Sequence, residues 1–174
     1  DQFGVININC QTIKSHDRAV YRLVDSAAAS AGVEPGVPQS GVSTDQKLNR
    51  FYELLSDHFD SVIIILDEID LLAGRQRDPS DEPAYSKLLY QLSRASQLGR
   101  IDGDVSVAAL TNDPRFMENL DGRAESSFNP EDVVFPDYDA DQLRSILERR
   151  RDAYQEGVLE ELLYLRVDDR FDQG

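Results

Sequence analysis

A single cysteine, Cys10, excludes an internal disulfide and fits a reducing compartment. No apolar run approaches the roughly 18 residues that a membrane span needs. The opening "DQFGVININC" has neither a basic stretch nor a small-residue cleavage site, so it reads as no signal peptide, and the expected location is cytoplasmic, off any membrane. His16 and His58 stand far apart with no Cys or His partner near either, which argues against an imidazole–thiolate metal site. Lysine is scarce, at 3 residues against 15 Arg. No Gly among the 174 residues is followed by Lys, so the glycine-rich phosphate cradle G-x-x-x-x-G-K-[ST] is not among them.

What is present is acid. The 33 carboxylates, 22 Asp and 11 Glu, outweigh 18 bases to give a net charge of −15. Such charge argues against strong sequence-independent binding of nucleic acid, which depends on neutralising phosphates. Abundant Asp, little Lys and an even scatter resemble the proteins of salt-accumulating halophilic archaea. In molar salt the Debye length shrinks to about 3 Å, and self-repulsion of this size becomes tolerable.

Along the chain, strands alternate with helices. Phe3 to Cys10 reads as a strand, and Ser15 to Ala31 as a helix with Ala19, Val20, Leu23, Val24, Ala27 and Ala28 on one side. Gly32 to Gly41, with three Gly and two Pro, breaks into a loop. Ser43 with Gln46 forms a capping box that opens a second helix bearing Leu48, Phe51, Tyr52, Leu55 and Phe59. The strand Val62 to Leu66 follows, then a loop from Gly74 to Pro83 holding Arg75 and Arg77. A helix over about Ala84 to Leu98, a buried strand "DVSVAALTN", short helical turns to Phe128, a short strand "EDVVFP" and a helix capped by Asp139 and Gln142 come next. A last helical segment runs from Val158 to Leu165. Crossover helices between continuous aliphatic strands imply an α/β fold whose sheet is mostly parallel and covered by helices on both faces.

In an open parallel sheet ligands bind at the carboxyl ends of the strands. "VIIILDEIDLL", Val62 to Leu72, runs five aliphatic residues into Asp67, Glu68 and Asp70. Taken alone, that is equally a core strand ending at a polar turn, and Asn112 after the next strand is more often a turn residue than a functional one. Together, on two strands separated by one helix, they form a kit for phosphoryl transfer. Asp67 would hold a magnesium ion through water. Glu68, one residue on, would take a proton from an attacking water. Asn112 would orient that water or the departing phosphate.

These residues carry a resemblance. "VIIILDEIDLL" resembles a Walker B motif, and "VAALTND" the sensor-one strand of AAA+ ATPases. "NDPRFMENLDGRAESSFNPEDVVFPDYDADQLRSILERR", the opening "INCQT" and the loop "VPQSGVSTD" are similar to the archaeal replication initiators related to origin recognition complex subunit one and cell division control protein six. The likeness spans Phe3 to Leu165. It implies a P-loop AAA+ core over residues 1–136, without its phosphate-cradle segment, and the start of a helical lid over 137–174. It also implies ATP and Mg2+ as cofactors, origin DNA, other initiator subunits and the replicative helicase as partners, and Arg123 as the arginine finger offered to a neighbouring subunit's ATP. The plain alternative for Arg123 is a helix-end arginine paired with Glu125 or Asp121.

The family's cradle, its second sensor arginine and its winged-helix DNA-binding domain are not matched here. The chain alone is therefore expected to bind ATP weakly and hydrolyse it hardly at all. Its alternative role is that of a non-catalytic partner that supplies the finger. Ser40, Ser43 and Thr44, in a loop leading to a helix N-terminus, are the candidates for DNA phosphate contacts, with an ordinary capped loop as the alternative. Arg149 to Arg151 read as cations favoured at a helix C-terminus, and Cys10 as a buried structural thiol.

Overall fold

A computed structural model describes residues 2–72, 82–95 and 97–153. The expected loop Gly74 to Pro83 lies largely outside these residues, as does the whole of the expected helix Val158 to Leu165. The chain separates into two units, 1–130 and 131–174, each described by itself.

Three strands, β1 (Phe3–Asn9), β2 (Ser61–Asp67) and β3 (Asp104–Ala109), form a parallel sheet in the order β1-β2-β3. Ile6 pairs with Ile64 and Ile64 with Val107, so matching side chains share a face across all three strands. Helices α1 (His16–Ala31) and α2 (Thr44–His58) connect β1 to β2, and α3 (Ala84–Ala95) connects β2 to β3. Right-handed crossovers that step twice in one direction across a sheet deliver their helices to one face. The face of Ile6, Ile8, Val62, Ile64 and Leu66 is accordingly buried against Leu23, Val24, Phe51, Leu55, Leu88 and Leu92 from these helices.

The α/β class and the parallel sheet are those expected from the sequence. Cover on the second face is not supplied by α1, α2 or α3. There Phe3, Val5, Asn7, Ser106 and Ala108 are exposed, and Ile63 and Ile65 half-buried.

Local chemistry sets the element ends. The Ser15 hydroxyl accepts from the Arg18 N–H to start α1, and Gly32, at φ 70°, closes it in the left-handed region open to glycine. Ser43 and Gln46 form the capping box of α2, as their spacing predicts. α3 stops at Ala95, three residues short of the expected end. Its last turn closes on itself, the Leu98 N–H donating to the Arg94 carbonyl and the Arg100 N–H to that of Ala95. β3 also ends early, at Ala109, although the Leu110 N–H still donates to the Leu66 carbonyl at 2.9 Å. It is not the buried strand expected: it is the last described strand of the sheet, and its residues alternate between exposed and half-buried. Beyond it a short 3-10 turn and α4 (Gly122–Phe128) complete the first unit.

In the second unit, α5 (Ala140–Ala153) begins where Asp139 and Gln142 exchange hydrogen bonds, again as expected. The expected short strand "EDVVFP" is not formed: Glu131 to Pro136 has no regular structure, and Phe135 is 88% exposed. An extended segment becomes a strand only when a neighbour completes its ladder.

Candidate functional site

The carboxyl ends of β1, β2 and β3 place Asn9, Asp67 and the segment after Ala109 side by side. Backbone bonds hold the three tips together. The Cys10 N–H donates to the Asp67 carbonyl at 2.8 Å, and the Ile69 N–H to the Leu110 carbonyl at 3.0 Å. Side chains add to this. The Thr111 hydroxyl donates to Asp70 Oδ1 at 2.8 Å and accepts from the Asp113 N–H at 3.0 Å. β2 and β3 are thus neighbours in the sheet, with Asp67 ending β2 and Thr111 just past the adjacent carboxyl end of β3.

Asp67 is oriented by a residue that sequence reasoning missed. Asn9 Nδ2 donates to Asp67 Oδ2 at 3.0 Å, while Asn9 Oδ1 accepts from the Gln11 N–H at 2.9 Å. The backbone donor fixes which way the Asn9 amide points, and the amide in turn fixes one carboxylate oxygen. The strand "FGVININC" held the signal, a polar residue opposite Asp67 in register, but register is not readable from one strand.

Glu68 follows at φ 52° and ψ 44°, a left-handed conformation that costs a non-glycine residue about 1–2 kcal/mol. It stands at the N-cap position of the short 3-10 turn Ile69–Leu71, with no side-chain hydrogen bond to that turn. Asn112 lies exposed just past β3, and its amide makes no hydrogen bond to another described residue.

The cluster is electronegative. Burial, and then the charges of Asp67, Asp70 and Glu68, push the Cys10 thiol beneath them up to about 12. This agrees with the expected structural thiol: Cys10 is fully buried and stays protonated. Tyr85 on α3 is raised by burial and by Asp113 and Asp70.

Arg123 stands on α4, away from these tips in sequence, and is pinned though 67% exposed. Its guanidinium donates to Asp121 Oδ1 at 3.2 Å and to Glu82 Oε2 at 3.3 Å, and lies 5.8 Å from the centre of the Tyr90 ring. The Asp121 bond holds Arg123 above its usual range, and the Arg123 N–H and guanidinium hold Asp121 below its own. Of the two partners foreseen for it, Asp121 is found.

Of the candidate DNA-contacting hydroxyls, Ser43 is spent on the α2 cap and Thr44 donates to Asp17 at 2.7 Å. Ser40 is exposed without a hydrogen bond among the described residues. Arg149 and Arg150 sit in the last turns of α5, and Arg75 and Arg77 lie outside the described residues. Among the described residues no group of three or more His, Cys, Asp and Glu is placed to hold a metal by itself, and no helix is long and apolar enough to cross a membrane.

Comparison with known proteins matches residues 3–132 to the model of the ATPase family associated with various cellular activities (AAA). An ORC1-type DNA replication protein, number 5, of Halobacterium salinarum is 65% identical over 159 residues, 91% of this chain and 37% of that protein. The ORC1-type DNA replication protein of Thermococcus kodakarensis is 40% identical over 90% of this chain and 35% of its own length. Among solved structures, the Orc1 protein of Aeropyrum pernix in complex with DNA superposes with a TM-score of 0.66 at 34% identity, covering 87% of this chain and 35% of that one. The chain thus spans about a third of the length of the relatives it matches.

Proposed function

We propose that this chain, which belongs to the AAA family of ATPases, supplies the hydrolysis side of the ATP site in a DNA replication initiator. The observation that carries this is the convergence of two adjacent strand tips, Asp67-Glu68 and Thr111-Asn112, tied by the 2.8 Å bond from Thr111 to Asp70.

The residues suit a magnesium ion in the way such an ion is usually held, by one or two carboxylates with phosphate and water completing the shell. Asn9 anchors one oxygen of Asp67, and the other, without a hydrogen bond among the described residues, would be available to that shell; the field that raises the Cys10 thiol favours a cation. Bound there, the metal–nucleotide pair supplies charge neutralisation and a good leaving group. Glu68 accepts the proton of the attacking water, the Asn112 amide orients that water, and Arg123 stabilises charge growing on a neighbouring subunit's phosphoryl group.

No Gly-Lys pair lies in these 174 residues, so they bring no phosphate cradle and alone bind ATP weakly. The Aeropyrum pernix structure, solved in complex with DNA, supports DNA as a partner; origin DNA, sister initiator subunits and the replicative helicase are proposed from the resemblance of the sequence alone. Ser40 is the hydroxyl left for a DNA phosphate. A second reading is favoured by Arg123, held by two carboxylates yet exposed: the chain presents a rigid finger to a neighbour and hydrolyses nothing itself.

One pair of measurements separates the two. Residues 3–132 are exchanged for the matching stretch of the Halobacterium salinarum relative, and ATP hydrolysis is followed in multimolar KCl. In the first reading the chimera turns over, and Glu68→Gln lowers the rate about 100-fold or more. An unchanged rate in Glu68→Gln and Asn112→Ala would sink it. The unmodified chain is then titrated with a fluorescent ATP analogue. Micromolar binding that disappears in Asp67→Ala would reveal a phosphate grip unlike the expected one.

A further inference from the structure

Away from the strand tips, α2 and α3 each pack on α1 and leave between them an open groove of about 520 Å³. Asp45, Leu48, Asn49 and Tyr52 line one wall at positions i, i+3, i+4 and i+7, a single stripe of α2. Tyr90, Gln91 and Arg94 of α3 form the other, and Leu98 and Arg100 close one end. The floor is tied down: the Tyr52 hydroxyl donates to the Gln91 carbonyl at 3.3 Å, and the Gln91 amide meets His16 Nε2 at 2.7 Å.

Two cations on this side of the fold contrast. Lys47, 1% exposed, is gripped by both oxygens of Asp17 at 2.7 and 2.8 Å. Arg94 is half-buried, its Nε is shut off from water without a hydrogen-bond partner, and no carboxylate among the described residues pairs with it. Arg100 joins it at the same end, its guanidinium 6.0 Å from the centre of the Tyr52 ring and likewise without a carboxylate. Among the described residues no carboxylate pairs with either guanidinium, and of the groove's lining Asp45 alone carries the opposite charge, so this end of the groove is left able to accept carboxylates. Partial desolvation of a guanidinium is unfavourable until a carboxylate arrives to share its hydrogen bonds.

We infer that this groove binds an extended, acidic segment of another protein, its carboxylates on Arg94 and Arg100 and an aliphatic or aromatic side chain against Tyr90 and Leu98, over the buried Tyr52. Tyrosine and arginine are the residue types that dominate the energetics of protein interfaces, and Leu98, 54% exposed, supplies apolar area beside them. Nucleic acid fits poorly, because two arginines neutralise too few phosphates to hold it. The groove has a polarity. Asp45 lies seven residues before Tyr52 on α2, about 10 Å along the helix axis, which an extended peptide covers in about three residues. The bound segment therefore carries Asp or Glu at one end and a basic or amide side chain three residues away.

An array of ten-residue peptides tests this in multimolar KCl. Each probe sets an Asp or Glu pair around one Leu, Phe or Tyr, with Lys, Gln or Glu three residues off in either direction. The intact chain is expected to hold acidic probes with Lys or Gln at the far position. Arg100→Glu, an exposed site that leaves folding intact by circular dichroism, lowers that binding at least 10-fold and gains Lys-rich probes. Arg94→Gln repeats the loss. No binding at millimolar peptide, equal binding by the variants, or preference for a ten-nucleotide thymidine oligomer would overturn the assignment. So would a dimer in sedimentation that Arg100→Glu dissociates, which would make the occupant a second copy of the chain.

Discussion

On one face of the sheet Ile6, Ile64 and Leu66 are sealed under α1, α2 and α3, whereas on the other Phe3 is 61% and Val5 49% exposed. Both faces of β2 are aliphatic: Val62, Ile64 and Leu66 point one way, Ile63 and Ile65 the other. A strand that is apolar on both sides belongs to a sheet with two covering layers. The hydrophobic pattern of a strand therefore records how a sheet is meant to be covered, while the direction of the crossovers records which cover the intervening helices supply.

Substitutions along β2 break or sharpen that contrast. Ile64→Ala is expected to lose about 4 kcal/mol, the transfer and cavity cost of a sealed aliphatic. Its neighbour Ile65→Ala is expected to lose only about 1 kcal/mol. Urea midpoints at constant slope read both, and equal losses would mean that the open face is covered in solution. Asp17→Ala leaves the buried ammonium of Lys47 without its half-exposed partner, and is expected to cost about 2 kcal/mol.

On the open face, Phe3→Ser with Val5→Thr is expected to change stability by less than about 1 kcal/mol, while weakening any binding of a hydrophobic dye. Relief at the rim is of similar size: Glu68→Gly removes a left-handed glutamate and gains up to about 1 kcal/mol. The smallest effect is a slope. Burial lowers the pKa of His16, an effect that its bond to Gln91 only partly offsets. The ring thus binds fewer protons folded than unfolded, so stability is lost as pH falls below about 6.5, the ordinary histidine value. His16→Gln should flatten the urea midpoint in that window, and a slope unchanged from the parent would assign it to other groups.

Much of the first unit was legible in the sequence because its signals are local. The Ser43–Gln46 box, the helix periodicity of α1 and the aliphatic run into Asp67 each lie within one element. What escaped reading depends on neighbours. Asn9 becomes a partner of Asp67 only through the parallel register of β1 and β2. Thr111 finds Asp70, and Arg123 finds Glu82, each across 41 residues of sequence. "EDVVFP" has the composition of a strand, but a strand is a property of two segments. The roles of Asp67, Glu68, Asn112 and Arg123 rest on chemistry that their placement permits and that the exchange experiment measures.

Cys10 turns the rim of the sheet into a clock. Its thiol is fully buried at the end of β1, beneath three carboxylates, and is pushed up to about 12. A thiol reagent cannot reach it, nor find a thiolate, until β1 parts from β2. The rate of labelling by a neutral disulfide therefore times the opening of the strand ends that hold Asn9 against Asp67, from a single native atom and with no probe attached. Anything that clamps those ends together slows the clock in proportion to how tightly it is held.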